Sequence, residues 1–306
     1  MAYNVNALAE YVNEQSFPIL RKAIMGSKTI DLFEKQVGIK HSAALNFMDV
    51  DAVFQSNAAG ETIQSIGDTT FTQRFITVNP VAVRQDYDVR WLNDKYLQTQ
   101  VKSGSADDEI PFEADLIGRL VEKINESTEI AVWQGDVTLT GSSNVNKNKF
   151  NGFIKLLDGE ASVVKVTGAT ITAANVIAQV DLIYTKIPVE LYDKADTAIY
   201  MGMDTYVMYT QALKNANMFH YSVDGGDTFV VPGTNTKVYA LNGLNGTGRI
   251  YAGQTSNFVT GHDLLGEEDN ATAGYIFESE KVKVKIAFKM GVQVKFPSQI
   301  VTYKAA

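Results

Sequence analysis

The chain has 306 residues, a net charge of -8, a pI of about 5.0 and no cysteine. These numbers exclude disulfides, thiolate metal sites and a cysteine nucleophile. They also exclude a general nucleic-acid binder, whose affinity rests on Lys and Arg neutralising phosphates.

The composition, 45% hydrophobic and 20% charged, is that of a globular chain of one large or two small domains. No run approaches the ~18 apolar residues of a membrane helix. Met1–Glu10 has no basic stretch leading into an apolar one, so no signal peptide is expected. There is no internal repeat and no low-complexity tract.

Residues 1–36 read as an arm of short helices. Leu8, Tyr11, Val12, Ile19, Leu20 and Ile24 form a loose stripe that Pro18 breaks, and after Gly26 a second short helix is expected over Thr29–Gln36. From 43 to 78 the period switches to two. Leu45, Phe47, Val50 and Val53 mark one strand, and Phe71, Phe75, Ile76 and Val78 mark another. Asn57-Ala58-Ala59-Gly60-Glu61 is a polar tip between them. An isolated two-stranded ribbon is marginal in water, so this hairpin must lie on a neighbour, within the chain or on another copy.

Residues 111–134 carry the clearest helix. Pro111 suits the first position, and Asp107, Asp108 and Glu109 complement the dipole. Phe112, Leu116, Leu120, Ile124 and Ala131 share a face widened by Ile117 and Val121. Asp115 and Arg119 pair on the outside, and Gly135 ends the helix. At ~1.5 Å per residue it spans roughly 35 Å, the length of a strut.

A polar loop follows over 141–151, then a short apolar element, Phe153–Leu157. A helix is expected over 172–187, capped by Thr172, with Val176, Ile177, Val180, Ile183, Tyr184 and Ile187 inward and Pro188 after it. Next come a buried strand, Ala198–Met201, and a helix capped by Asp204 that carries Tyr206, Val207, Thr210 and Leu213. Short strands are expected at Phe229–Val231, Lys237–Leu241, Arg249–Tyr251 and Asn257–Thr260. The chain closes on a strand pair. Lys281, Lys283 and Lys285 alternate with Val282, Val284 and Ile286, and beyond Met290-Gly291, Val292, Val294 and Phe296 alternate again. A lysine row of this kind is a solvated strand face; the sharper alternative is a face turned toward DNA or an acidic partner. The whole reads as an α+β chain.

Catalytic signatures do not emerge. His41, His220 and His262 are far apart in sequence, and neither a nucleophile elbow nor a P-loop occurs. Gly243, Gly246 and Gly248 are followed by strand-like sequence, which makes them turns and not a phosphate cradle. Asp224-Gly225-Gly226-Asp227 lacks the alternating ligands of a calcium loop and reads as a hairpin turn. Asn125-Glu-Ser127 and Asn270-Ala-Thr272 match the glycosylation pattern but carry no weight without a secretory signal. No catalytic, cofactor-binding or metal-ligating residue is nominated, and the chain is read as a non-enzyme.

The order of these parts resembles the Hong Kong 97-type major capsid protein of tailed phages, over nearly the whole chain. Trp133-Gln134-Gly135-Asp136 looks like that family's helix ending, and Asn151-Gly152-Phe153-Ile154 like the segment after it. Ile187–Tyr192, Ala198–Met201 and Asp204–Leu213 resemble its central strand–helix unit. Gly253–Asp263 and Phe288–Val301 are similar to its late strands.

The resemblance implies an N-terminal arm (1–41), an E-loop hairpin (42–80) lying over a neighbouring subunit, and a P-domain (81–150) with the spine helix 111–134. It further implies an A-domain (151–274) and C-terminal strands (275–306) returning to the P-domain. It implies self-assembly into pentamers and hexamers and a shell enclosing double-stranded DNA without sequence-specific binding. Assembly in the host cytoplasm, residence in the virion and the absence of a cofactor and of a membrane also follow from it. Portal, scaffolding and decoration proteins are the implied further partners, the scaffold expected to be separate because the chain starts at Met1 directly with the arm, unless an extension was cleaved from the gene product. Gly60, Gly67 and Ser103-Gly104-Ser105 are candidate bends.

The type member cross-links an E-loop Lys to a neighbour's Asn. Here no Lys lies between Lys40 and Lys95, so no such cross-link is expected. Competing readings are an encapsulin-like nanocompartment shell, another phage structural protein such as a tail tube, and an enzyme without a recognisable motif.

Overall fold

A computed structural model describes residues 5–56, 66–102, 112–216, 228–263 and 271–305. Three helices open the chain: α1 (Val5–Glu14), α2 (Ser16–Met25) and α3 (Lys28–Leu32). Strand β1 (Glu34–Val37) and the hairpin strands β2 (Ser42–Val50) and β3 (Thr69–Thr77) follow. Next come β4 (Asn79–Asp88), α4 (Val89–Lys102) and the long α5 (Phe112–Gln134). The second half holds α6 (Phe153–Gly159), β5 (Val164–Gly168), α7 (Val176–Tyr184), β6 (Thr197–Met201), α8 (Met203–Asn215) and β7 (Thr228–Val230). It continues with β8 (Lys237–Ala240), β9 (Ile250–Gln254), β10 (Phe258–His262), β11 (Ala271–Ile276), β12 (Lys281–Val294) and β13 (Val301–Ala305).

Two sheets organise the chain. The first has the order β1-β10-β12-β11, with β4 on the other edge of β12; the second runs β5-β13-β9-β6-β8-β7. The arm and α5 cover the inner face of the first sheet. Leu8, Leu20 and Ile24 meet Ile117, Leu120, Val121 and Ile124, with Val282, Val284 and Ile286 of β12 in the same cluster. Helices α7 and α8 cover the second sheet, where Val180, Ile183, Tyr209 and Leu213 pack on Ile199, Met201, Ile250 and Tyr303. All five residues of β6 are buried, as a strand with helices and neighbouring strands around it must be.

The sheets meet at an aromatic junction. Phe33 stacks on Phe258 of the first sheet with ring centroids 4.7 Å apart, and Tyr200 of the second lies 5.3 Å from the same ring. Trp133, fully buried at the end of α5, is 5.2 Å from both Phe153 and Tyr251.

That junction explains a departure from the expected helix over Thr29–Gln36. Helix α3 stops at Leu32, Phe33 turns into the aromatic cluster, and Glu34–Val37 becomes a strand parallel to β10. Burying a phenylalanine outweighs the few tenths of a kcal/mol per residue that helix propensity offers.

Three other departures have local causes. Helix α7 begins at Val176, not Thr172, because Asn175 Oδ1 accepts the Thr172 N–H at 2.7 Å and holds a turn there. Helix α8 is capped by Gly202, not Asp204; Asp204 accepts the Gly246 N–H at 2.9 Å and so secures a loop instead. The expected break at Met290-Gly291 is absent, since β12 runs unbroken for 14 residues. The returns to the sheets also differ. β10 and β11 already belong to the first sheet, ahead of residue 275, and β13 pairs with β5 and β9 in the second.

Candidate assembly surface

The hairpin has two unlike faces, set by the register of its strands. Leu45, Ile76 and Phe47 point toward the body. Ala44 lies opposite Phe75, and Met48 opposite Phe71, on the other face. Leu45 and Ile76 join Ile39, Val78 and Val259 in a small core beneath the hairpin. Phe47 lies 4.9 Å from Phe296, and Arg74 forms an ion pair with Glu160.

The outward face is apolar and bare. Phe71 is 77% exposed, Met48 62%, Phe75 57% and Val50 54%, interrupted by the Gln73–Asn46 hydrogen bond of 2.8 Å. Phe54, beyond the strand end, is fully exposed. Large apolar side chains gathered on one face and standing in water mark an interaction surface. The expected tip at Asn57–Glu61, with Gly60, lies outside the described residues. At the near end Gly67 has φ +117° and would bring a Cβ within 2.6 Å of Asp51 O, so the backbone turn there requires glycine.

Two glycines fix where the hairpin crosses the sheet. Gly261 and Gly291 are directly opposite on β10 and β12. A Cβ on Gly291 would lie 2.0 Å from Thr77 O, and one on Gly261 would lie 2.8 Å from Ile76 Cδ1. The bare backbone at this pair is the seat of the hairpin's base. Gln293, two residues on, donates to Phe75 O at 2.8 Å.

Charged groups cluster beside the seat. Asp263, fully buried, lies 2.7 Å from Lys289 Nζ and 3.3 Å from Lys40 Nζ. Burial, aided by Lys35, pushes the neighbouring His262 down from 6.5 to about 4, so it is neutral at pH 7. A second buried node fastens the arm to α5. Glu129 accepts the Thr29 N–H at 2.9 Å and pairs with the Thr29 hydroxyl, which itself accepts from Trp133 Nε1 at 2.9 Å.

The lysine row of β12 lies beside β4, a strand that pairs antiparallel with it over ten residues. Lys281 faces Asp88 and Lys283 faces Asp86, while Lys285 faces Arg84. Two of the three lysines therefore stand opposite an aspartate in the register, the arrangement in which opposite charges across a ladder are favourable.

Among the described residues, the histidines and carboxylates singled out in the sequence are not gathered into one site. Among the described residues no three His, Asp or Glu side chains could hold a metal ion. His262 is buried on β10, and His220 and Asp224–Asp227 lie outside the described residues, as do Pro111, Asp107–Glu109, Ser103–Ser105 and Asn270. Gly243 packs against Glu129 O, and Gly246 and Gly248 adopt positive φ before strand β9, which makes the stretch a turn. Asn125 sits half-buried on α5, facing Gly26. A polar groove of about 730 Å³ runs between the arm, α5 and the 242–245 turn, with Glu122, Glu126 and Glu129 along one side. No helix among the described residues is long and apolar enough to cross a membrane.

No family model and no curated protein matches this sequence. Solved structures do. A chain of the satellite phage P4 procapsid, solved with its size determination protein, aligns over 95% of this chain and 91% of its own, with a TM-score of 0.64 at 11% identity. The capsid of an empty GTA particle aligns over 93% and 90%, at TM-score 0.56 and 17% identity. This is the Hong Kong 97-type capsid fold. A virus-like particle from Pyrococcus furiosus has it too, over 95% of this chain and 98% of its own, at TM-score 0.53 and 9% identity. At such identities the shared fold rests on the arrangement of buried side chains. For the capsid fold in this chain, that arrangement is the aromatic junction and the two sheet cores described above.

Proposed function

We propose that this chain is the major capsid protein of a tailed phage, a shell subunit that works by assembling with copies of itself. The observation that carries the reading is the hairpin's outward face. Met48, Val50, Phe71 and Phe75 stand exposed on a ribbon that cannot cover them itself, in a chain whose fold is that of capsid subunits. A lattice of copies supplies the cover, and modest contacts repeated over a closed shell give a stable particle.

In this reading residues 1–41 are the arm, 42–80 the E-loop, 81–150 the P-domain and 151–274 the A-domain, with 275–306 returning across both sheets. The subunits form pentamers and hexamers, the shell encloses double-stranded DNA, and the protein resides in the virion. A portal, a separate scaffolding protein and a decoration protein are its further partners. The acidic balance keeps the genome from adhering to the wall. The chain performs no catalysis and needs no cofactor.

The test is expression of the chain alone, followed by electron microscopy and light scattering. Rings of five and six, sheets or closed shells are expected. Compact monomers that persist at high concentration, and also when the neighbouring genes are co-expressed, would overturn the proposal. The alternative reading is an encapsulin-like compartment, which the likeness to the virus-like particle does not favour over a phage shell. Gene context separates the two: portal and terminase genes beside the coding sequence against a cargo enzyme.

A further inference from the structure

Among the described residues, β1, β4 and β11 are the edge strands of the first sheet. An open edge is a template for the strand of another chain, and proteins blunt it with charge, with proline or with a covering element. β1 carries Glu34 and Lys35, and β4 carries Pro80, Arg84, Asp86 and Asp88. β11 has neither charge nor proline. Ala271–Phe277 holds no charged residue at all and ends on the exposed Tyr275, Ile276 and Phe277. A short uncharged stretch of this kind on an edge is the signature of strand-to-strand association.

What closes this edge is a side chain. Asn13, in the last turn of α1, accepts the Ala273 N–H at 3.1 Å and donates its Nδ2 to Ala273 O at 3.2 Å. Its amide thus makes the two bonds that a residue of an added strand would make. In an antiparallel ladder both backbone groups of one residue point to the same side, and alternate residues point to opposite sides. Ala271, Ala273 and Tyr275 therefore turn theirs outward, while Thr272, Gly274 and Ile276 turn theirs to β12. Asn13 occupies the middle of the three outward positions, where it interrupts any ladder laid along the edge. The plug is held by packing: Leu8 and Val12 of the same helix are fully buried, in one cluster with Ala271, Val282 and Val284.

We propose that the outer edge of β11 is a strand-addition site for the same edge of a second copy, and that Asn13 is the residue that keeps it shut. The pairing is two-fold. Laid antiparallel on its counterpart, β11 sets Ala273 against Ala273 and Tyr275 against Ala271, with no charge in the ladder to oppose it. Such an edge has to be covered whether or not the chain builds a shell, so the inference goes beyond the capsid reading and does not depend on it.

The experiment compares the full chain, N13A, Y275P and N13A/Y275P. Hydrogen exchange is followed over residues 271–276 and sedimentation velocity on the unassembled fraction, with thermal melts to confirm folding. In N13A the Ala273 amide is expected to exchange roughly tenfold faster or more. A dimer is expected to appear beyond the parent's level and to grow with concentration. Proline at 275 removes an outward N–H without touching the bonds to β12. N13A/Y275P is therefore expected to keep the fast exchange and lose the dimer, and Y275P alone to behave as the parent. A folded N13A that keeps the parent's exchange at Ala273 overturns the guard. Fast exchange with no more dimer than the parent, or a dimer that Y275P leaves intact, overturns the strand-addition site. Neither readout needs rings or shells, so a parent chain that never assembles sinks the shell reading and leaves this test standing. If N13A fails to fold, N13D, which keeps the acceptor and loses the donor, takes its place with a smaller rise expected and the same overturning results. Y275K, a charge at the same edge position, stands in for Y275P if proline prevents folding.

Discussion

At the scale of single residues, buried polar nodes do what the apolar core cannot: they fix which surfaces meet. Thr29 is the clearest case, because its N–H and hydroxyl engage Glu129 and its hydroxyl also accepts from Trp133. Thr29→Val keeps the shape and the N–H bond to Glu129 but leaves Trp133 Nε1 and one Glu129 oxygen without the hydroxyl, so it should cost about 2–3 kcal/mol in urea unfolding. Nothing in the sequence marked this node; a threonine at the start of a short helix reads as ordinary, and its partners are 100 and 104 residues away. His262 offers a second test. Its folded value, near 4, lies below the ordinary 6.5, so between those pH values the unfolded chain binds the extra proton. Its contribution is therefore whole above pH 6.5 and is lost as pH falls toward 4, on the order of 3 kcal/mol. His262→Asn should flatten that acid slope in a pH series of thermal melts; an unchanged slope would show that other groups carry it.

At the scale of elements, period and punctuation were legible wherever one face of an element is buried by its own neighbours. Helix α5 and the two hairpin strands lie close to where alternation and helical spacing put them. Apart from the local Thr172–Asn175 turn ahead of α7, the misreadings come from contact far along the chain. The Met290-Gly291 step looks like a turn, yet Gly291 is bare so that Thr77 can cross over it. Strand β4 escaped notice because its outer face mixes Pro80, Ala82, Arg84 and Asp86, which carry no clean alternation. The hairpin's outward stripe separates folding from assembly. Phe71→Ser with Phe75→Ser should leave the melting curve of the monomer nearly unchanged, within ~0.5 kcal/mol, since both rings are already in water. The same variant should yield no rings or shells under the microscope. A folded double variant that still assembles would remove the stripe from the interface.

At the scale of the whole molecule, the two sheets are not separate beads. The chain enters the first sheet at β1 and β4, builds most of the second, returns through β10, β11 and β12, and ends in the second at β13. Unfolding should therefore be a single cooperative transition, followed alike by tryptophan fluorescence and circular dichroism. In the sequence the hairpin was legible as a ribbon in need of cover; that its inner face is covered by the body and its outer face is not came only with the register. Assembled particles should also run as monomers on a denaturing gel, because the stretch from 41 to 94 contains no lysine to form an isopeptide bond. A ladder of covalent oligomers would contradict this.

The glycine pair under the hairpin has a mechanical consequence. Nine-residue strands at ~3.4 Å per residue make a ribbon roughly 30 Å long. Gly261 and Gly291 place a fulcrum under one end of that lever, and the Phe47–Phe296 contact and the Arg74–Glu160 pair farther out set how far it tilts. A rotation of about 5° there carries the far end through about 3 Å, close to the rise of one residue along a strand. In the capsid reading proposed above, one sequence would in this way reach neighbours set at different angles while both of its large cores stay as they are.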